Sequence, residues 1–298
     1  MASVFTTADP AAVVPKIREA VRNDGTVPAA EPKNLSLCHG GDPERLFFNA
    51  LNPLAAKGNS LQGFADVFQM VRLAENFDVD VAGLGQVRLD PNRILYYGHS
   101  QGSNVGGPAA AFEPDIHAIV LSGAGAHLMS SLLHKRSPVD VAGLIKLVFM
   151  DAHLGLDHPM LNLFQLYFDQ VDGVNYGSLL ARNPPDGVPA KDIFQTYGLG
   201  DTASPEQTMQ AFARSMGLDI APPILVEITG LGTYSGDFPV SGNVSVMGEL
   251  RTQIMSQFDP QCVYDGHFVA QRDDAAKAQI AWFLASAAAT GLAQLPAR

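Results

Sequence analysis

Cysteine is almost absent from this sequence, which has only Cys38 and Cys262 in 298 residues. Two thiols cannot build a disulfide framework or a zinc site made of cysteines. A single bridge between them stays open, and two unpaired, buried thiols are the interpretation that we prefer. A chain of this length can bury a sizeable hydrophobic core without such cross-links.

Basic side chains are also scarce. The 19 Lys and Arg stand against 30 Asp and Glu, which gives a formal net charge of −11 and a pI near 5.0. Nucleic acids and anionic membranes require clustered Lys and Arg, so neither is an expected partner. Hydrophobic residues make up 47% of the chain and charged ones 16%, which excludes a disordered protein.

No late stretch of the sequence is apolar over a membrane-spanning length. Residues 280–293 are the most apolar, but a span takes about 20 residues, so we interpret them as a docked C-terminal helix. Residues 1–7 lack the basic and apolar regions of a signal peptide. We therefore expect a soluble protein without stable membrane insertion. Its compartment stays open, because a leader could have been removed from a longer precursor.

The sequence does contain short β-branched or apolar runs that alternate with helical stretches. This alternation is typical of an α/β fold, with a mostly parallel sheet flanked by helices. The predicted strands are residues 35–38, 93–97, 117–122, 193–197 and 252–258, and the predicted helices before the second of these strands are residues 9–22 and 60–76.

Two stretches depart from the alternation. Residues 126–185 are helical, rich in Leu and aromatic, and they come between two predicted strands, so they are predicted to form an inserted cap. Residues 224–249 are rich in Gly, Thr and Ser, which indicates a loop or hairpin excursion. Neither boundary has the composition of a linker. We therefore predict a single domain over residues 1–298, with a helical cap insertion at about 126–185.

The strongest chemical signal is the motif G-H-S-Q-G at residues 98–102, directly after the strand predicted at 93–97. A serine on a tight strand-to-helix turn projects its hydroxyl above the sheet, and the crowded backbones on either side favour Gly98 and Gly102. The motif therefore predicts a nucleophile at Ser100. Pro108 predicts a kink or an early end of the helix that follows.

A serine nucleophile needs a base, and the base needs a carboxylate that orients it. Asp201 ends a Gly-rich turn after the strand predicted at 193–197, and His267 follows the last predicted strand. The order Ser, Asp, His is that of this architecture. Asp201 could instead be a helix N-cap, and Asp172 and Asp265 are rival acids, although neither ends a predicted strand.

Several other side chains are candidates for the site. We expect His99, inside the motif, to pack or to line the pocket rather than to act as the base. Leu161 and Phe164 are predicted to contact substrate from the cap, with burial in the core as the alternative. In the cap, His153, Asp157 and His158 imitate the spacing of metal ligands. They have no further ligands nearby, so we predict no metal site.

With its motifs G-H-S-Q-G, G-L-G-D and D-G-H-F, the chain resembles the serine α/β-hydrolases of the esterase and lipase type, over roughly residues 35–290. The resemblance implies an α/β-hydrolase fold and hydrolysis of carboxylic esters through an acyl-enzyme, without a cofactor. The apolar cap, and the lack of evidence for a long open groove, favour short-to-medium apolar esters. It also implies that the Gln101 N–H is an oxyanion-hole donor. An amidase, thioesterase or peptidase with the same triad stays open, as does a non-catalytic binding protein of this fold.

The N-terminal part of the sequence departs from the family pattern, because too few strands precede the motif. We therefore expect a shortened N-terminal edge of the sheet. The second oxyanion donor is then either Gly40 and Gly41, beside a substrate-binding His39, or the segment at residues 6–7. An exposed sheet edge requires a cover. Either a homodimer formed through residues 1–34 or the helix at 9–22 of the same subunit could supply it.

Overall fold

The computed structural model describes residues 12–23, 52–137 and 140–298. Several predictions fall outside these ranges: the strand at 35–38, Cys38, the donor candidates His39, Gly40 and Gly41, and the segment at 6–7. The first predicted helix is described from residue 12 onward.

The described helices follow the predicted alternation, with a long first helix after the gap and a long last helix near the C-terminus. In chain order they are α1 (Val13–Asn23), α2 (Pro53–Glu75), α3 (Gln101–Ala110), α4 (Leu128–His134), α5 (Val141–Phe149), α6 (Pro159–Phe168), α7 (Gly177–Ala181), α8 (Glu206–Met216), α9 (Val269–Arg272) and α10 (Asp274–Thr290).

The described strands form one large sheet and smaller antiparallel pairs. In chain order they are β1 (Asp78–Val81), β2 (Gly85–Arg88), β3 (Ile94–His99), β4 (Ile116–Ser122), β5 (Asp192–Gly198), β6 (Asp219–Ala221), β7 (Gly232–Thr233), β8 (Val240–Ser241), β9 (Val244–Val246), β10 (Glu249–Arg251), β11 (Gln253–Phe258) and β12 (Gln294–Leu295).

The large sheet has six strands in the order β3-β4-β5-β11-β6-β7, and every neighbouring pair is parallel. Helices lie on both of its faces, so strands such as β5 are buried along their whole length. A strand buried on both faces has a continuous apolar run rather than an alternation. That pattern is why the strands at 117–122, 193–197 and 252–258 could be predicted, whereas β3, at the edge of the sheet, is only partly buried. The predicted α/β fold, with a mostly parallel sheet flanked by helices, is confirmed.

Two large apolar clusters lie around this sheet. One includes Phe64 and Phe68 of α2 with Phe212 of α8. The other packs Phe283 of α10 against Phe194 of β5, with ring centroids 5.5 Å apart. The predicted docking of a C-terminal helix is therefore confirmed. In the part of the chain that the structure describes, no helix is both long enough and apolar enough to cross a membrane.

The segment predicted as a cap is helical, with α4 to α7 between β4 and β5. Its first half forms a small cluster of its own, in which Leu161 is 1% exposed and packs with Met129 and Leu133. Its second half is different, because Tyr176 and Leu180 are buried in the main core. The segment is thus anchored in the domain along its second half.

Some elements were not predicted. The excursion at 224–249 does contain a hairpin, β9 paired with β10, but it also adds the short strand β7 to the edge of the sheet. The three residues of β6 were missed as well. Strands of two or three residues are too short to show a hydrophobic period.

The helix α1 packs within its own subunit. Val14 is fully buried. At the other end of α1, Arg22 Nη2 donates to Glu75 (3.0 Å), Glu113 (2.9 Å) and Asp115 (2.6 Å). These ion pairs fix α1 against α2 and against the turn that enters β4. A homodimer through residues 1–34 stays a prediction.

Candidate active site

Ser100 lies on the turn between β3 and α3, in a backbone conformation that few non-glycine residues adopt. Its φ of 54° and ψ of −119° fall outside the ordinary allowed regions. The Ser100 N–H donates to Ser122 O over 2.7 Å, which holds the turn against β4. The Ser100 side chain makes no capping hydrogen bond to α3, so its hydroxyl is not committed to the helix that follows.

The two motif glycines differ in what they permit. A Cβ on Gly98 would lie 2.8 Å from the backbone of Gly102, so this position must be glycine for the turn to close. A Cβ on Gly102 would meet only the Tyr96 hydroxyl, at 3.9 Å. The expectation that crowding requires glycine at both positions is therefore correct for Gly98 and wrong for Gly102.

Ser103 stabilises the turn that carries Ser100, which we call the elbow. Its side chain is fully buried, and its Oγ lies 2.7 Å from Gly98 O and accepts from the Ser122 N–H over 3.0 Å. Pro108 lies within α3, and the helix ends two residues later at Ala110. This is the early end that Pro108 predicted. The strained turn is therefore supported by hydrogen bonds from both strands beside it.

The structure brings Asp201 and His267 into direct contact. The Nδ1 atom of His267 lies 2.9 Å from Oδ2 and 3.1 Å from Oδ1 of Asp201. Both residues are 5% exposed. Asp201 follows β5, and His267 lies in the short 3₁₀ turn Gly266–Phe268 after β11. A carboxylate on Nδ1 leaves the Nε2 atom of the imidazole for another partner.

Backbone donors hold the Asp201 carboxylate. Its Oδ1 accepts from the Ala203 N–H over 2.9 Å and from the Ser204 N–H over 2.6 Å. The alternative role as helix N-cap does not apply, because α8 begins at Glu206 and its N-cap is Pro205. Oδ2 is thus the oxygen that remains for the imidazole.

Glycines allow the turns that carry the acid and the base to meet. A Cβ on Gly198 would overlap Gly266 O, and a Cβ on Gly266 would lie 2.7 Å from Gly198 O. Any side chain at either position would push the two turns apart. The first glycine of G-L-G-D, Gly198, and the glycine of D-G-H-F, Gly266, therefore have a direct structural reason.

The imidazole approaches the elbow across Gly123, the residue after β4. A Cβ on Gly123 would lie 2.8 Å from Cε1 and 2.9 Å from Nδ1 of His267. Gly123 directly follows Ser122, whose carbonyl accepts from the Ser100 N–H. Gly123 was not predicted from the sequence. Its position at the end of the strand beside the elbow strand was the available signal.

His99 packs on the imidazole instead of competing with it. The two ring centroids are 4.8 Å apart, and His99 Nδ1 lies 3.1 Å from Ser122 Oγ. Burial, and next the neighbouring His267, lower the pKa of His99 from 6.5 to about 4. His99 is therefore a neutral ring at neutral pH.

The rival acids have other partners. Asp172 is fully buried and accepts from the N–H groups of His127 (2.7 Å) and Leu128 (2.6 Å), where α4 begins. Asp265 accepts from the His267 N–H over 2.8 Å with Oδ1, so it caps the turn of the base rather than its ring. Only Asp201, of the three candidates, contacts the imidazole.

The remaining predicted residues lie in the segment between β4 and β5. Leu161 is packed as a core residue, and Phe164 is partly buried with its ring 4.4 Å from that of Phe168. His158 accepts from the Met160 N–H at the start of α6. Within the described ranges, no three His, Cys, Asp or Glu side chains are grouped so as to hold a metal ion.

Two surface depressions lie near the acid but are not the reaction site. One, of about 410 Å³, is lined by residues that include Arg136, Asp201 and Glu206. The other, of about 220 Å³, includes Cys262. Neither Ser100 nor His267 lines them. Cys262 is free and exposed, so the expectation that its thiol is buried is wrong.

Gln101 is the first residue of α3. An N–H at the start of a helix has no acceptor within that helix, so it can bind an anion. The arrangement thus combines a strained serine, a buried imidazole oriented by a carboxylate, and a donor directly after the serine. These are the parts of an acyl-transfer site.

The chain matches no protein-family model and no curated protein. Among solved structures, it is similar to acetyl xylan esterase 1 from Thermoanaerobacterium sp. JW/SL YS485, at 17% identity and a TM-score of 0.41, over 62% of this chain and 52% of that one. It is also similar to a puromycin-hydrolyzing peptidase of Mycobacterium tuberculosis, at 15% identity and a TM-score of 0.36, over 53% of this chain and 20% of that one. The chain thus covers about half the length of the first and a fifth of the second.

Proposed function

We propose that this protein is a serine hydrolase of carboxylic esters, with Ser100 as nucleophile, His267 as general base and Asp201 as the orienting acid. The observation that carries the proposal is the buried contact of 2.9 Å between Asp201 Oδ2 and His267 Nδ1. A binding protein would not need a carboxylate, an imidazole and a strained serine after three strands of one sheet.

In the first half of the reaction, Ser100 Oγ attacks the ester carbonyl while Nε2 of His267 takes the hydroxyl proton. We include a hydrogen bond between Ser100 Oγ and His267 Nε2 in the proposal. Such catalytic hydrogen bonds are often long before substrate binds and tighten in the complex. Asp201 holds the proton of Nδ1 and stabilises the imidazolium. The Gln101 N–H donates to the oxyanion, a contact whose removal costs about 3–4 kcal/mol.

In the second half, the imidazolium gives its proton to the leaving alcohol, and the acyl group remains on Ser100 as an ester. Water then attacks this ester while His267 takes a proton from the water. As the second tetrahedral intermediate collapses, His267 returns the proton to Ser100 Oγ. The products are the free acid and the alcohol. The route needs no group beyond the side chains and backbone already named.

The preference for short-to-medium apolar acyl groups is the finer part of the proposal. Its support is the apolar character of the segment between β4 and β5, where Leu147, Val148 and Leu163 are exposed and Phe164 is partly buried. Leu161 is not carried into the proposal, since it is buried in the small cluster.

The test is a panel of chromogenic esters of increasing acyl length, together with an anilide and a thioester of the same acyl group. Ser100→Ala is expected to abolish hydrolysis and to melt near the wild-type temperature, because the hydroxyl makes no capping bond. Ser245→Ala, at an exposed position on β9, is the matched control and should hydrolyse at the wild-type rate. Retention of more than a few per cent of the rate in Ser100→Ala would refute the nucleophile.

A further inference from the structure

A single carboxylate joins the turn that carries the acid to the turn that carries the base. Asp265 Oδ1 accepts from the Thr202 N–H over 3.2 Å and from the His267 N–H over 2.8 Å. Asp265 Oδ2 accepts a short hydrogen bond from the Thr202 hydroxyl. Thr202 directly follows Asp201, and Asp265 lies two residues before His267, so the contact links the turn of the acid to the turn of the base.

The charge of this carboxylate is maintained under ordinary conditions. Partial burial by itself would raise the pKa of Asp265, but the hydrogen bonds from Thr202 and from the His267 N–H hold it below its ordinary value. A second negative charge therefore stands in the turn of the imidazole, in addition to Asp201. A negative charge near an imidazolium stabilises the protonated ring.

We infer that Asp265 is a positioning residue for the triad, which sets the contact between Asp201 and His267 by clamping Thr202 and which adds its charge to the field at the imidazolium. The inference rests on the proposed function, since it assigns a role within the same site. Asp265 is not a catalytic residue in this scheme, because it contacts the backbone of the base and not its ring.

We call the hydrogen bonds between Thr202 and Asp265 the clamp. Two substitutions separate its hydroxyl hydrogen bond from the charge of Asp265. Asp265→Asn keeps one oxygen for the N–H donors but removes the charge, whereas Thr202→Val removes the hydroxyl bond and leaves the charge. The matched control is Asp273→Asn, because Asp273 also caps a helix by accepting from a backbone N–H, that of Ala276 at 2.9 Å. Asp273 lies in the same region of the chain but contacts neither turn.

The first experiment measures the imidazole itself, so that it does not depend on whether esters are hydrolysed. In a Ser100→Ala background, the midpoint of the His267 imidazole titration is followed by NMR. Asp265→Asn should move it to lower pH, because the negative charge of Asp265 is lost. Thr202→Val and Asp273→Asn should leave it near the parent value. An equal midpoint in Asp265→Asn and its parent would overturn the charge part of the inference.

The midpoint of this titration depends on the charged and titratable groups around the imidazole in the described structure. They are Asp201 on Nδ1, His99 on the ring face, Asp265 in the same turn, and Arg272, whose guanidinium lies over the neighbouring Phe268 ring.

The second experiment measures the clamp through catalysis. Thr202→Val should lower kcat for a chromogenic ester roughly 10- to 100-fold with little change in KM, as expected for a misplaced catalytic group. Thr202→Ser should recover most of that loss. Asp265→Asn should show a similar fall and should also move the acid limb of the pH–rate profile to lower pH. If Thr202→Val turns over at the wild-type rate, the positioning role is wrong, whether or not Asp265→Asn folds.

Discussion

Replacing Asp201 by Asn is the sharpest test of the triad, because the structure determines which way the new amide must face. Oδ1 of Asp201 accepts from the backbone N–H groups of Ala203 and Ser204, at 2.9 and 2.6 Å. The amide oxygen of Asn must take this place, since its NH₂ group cannot accept. The NH₂ group then occupies the place of Oδ2, which is 2.9 Å from His267 Nδ1.

The consequence is the wrong tautomer of the base. Facing an NH₂ donor, Nδ1 must accept, so the ring proton moves to Nε2 and the imidazole can no longer take the proton of Ser100. Substitutions of this kind in such triads lower turnover by about 10⁴-fold, which corresponds to about 5 kcal/mol of transition-state stabilisation. The backbone contacts of residue 201 survive, so the melting temperature should change little.

The assay compares kcat and kcat/KM for one chromogenic ester in the wild type and in Asp201→Asn, with Asp172→Asn as the control carboxylate. Asp172 holds the start of α4 through the N–H groups of His127 and Leu128, so its loss should lower stability more than rate. A fall of less than ten-fold in Asp201→Asn would refute the assigned acid. A larger fall in Asp172→Asn than in Asp201→Asn would refute it equally.

Two further predictions concern sterics and pH. Gly123→Ala should lower kcat/KM by at least about 100-fold, because the new methyl group would lie 2.8 Å from the His267 ring. The control is Gly187→Ala, which also has a positive φ (79°) but open space around its Cβ, and which should keep full activity. Equal rates in both variants would contradict the steric argument. Burial lowers the pKa of Lys191 from 10.5 to about 7, against the pull of Glu113. The folded protein then binds fewer protons than the unfolded chain between about pH 7 and 10, so stability rises with pH across this window and is lost as pH falls through 7. The urea midpoint of the wild type, relative to Lys191→Met, should therefore increase from pH 7 to pH 9, and a constant difference would exclude the effect.

The parts of the fold that the sequence predicts are those in which local pattern and burial agree. Strands such as β4 and β5 are long, apolar and buried, and the elbow follows one strand directly, so pattern and motif support each other. The short strands β6 and β7 could not be predicted, because pairing at the sheet edge stabilises them and their own residues do not.

Two predictions for single residues failed because neither residue type nor motif shows what surrounds a residue in the fold. Glycine was expected to be required at Gly102, yet a Cβ there would meet only the Tyr96 hydroxyl at 3.9 Å, whereas a Cβ on Gly98 would lie 2.8 Å from the Gly102 backbone. Cys262 was expected to be buried from its residue type. It lies instead on an exposed loop, with a positive φ of 60°. A sequence pattern shows which residues are apolar, but it does not show which other parts of the chain cover them.

The geometry of the candidate site depends mainly on close backbone approaches. Gly98 closes the elbow, Gly198 and Gly266 let the turns of acid and base touch, and Gly123 admits the imidazole. The contacts of Gly198, Gly266 and Gly123 join elements that are far apart in sequence, so a motif shows the glycine but not its partner, whereas the partner of Gly98 lies four residues later in the same motif. Because polar side chains such as Asp265 then fix the turns that the glycines bring together, small shifts of the backbone should reduce the rate before they unfold the protein. Variants at these glycines and at the clamp should therefore affect turnover more than stability, which is the opposite of what substitutions such as Phe64→Ala or Phe212→Ala should do in the main core.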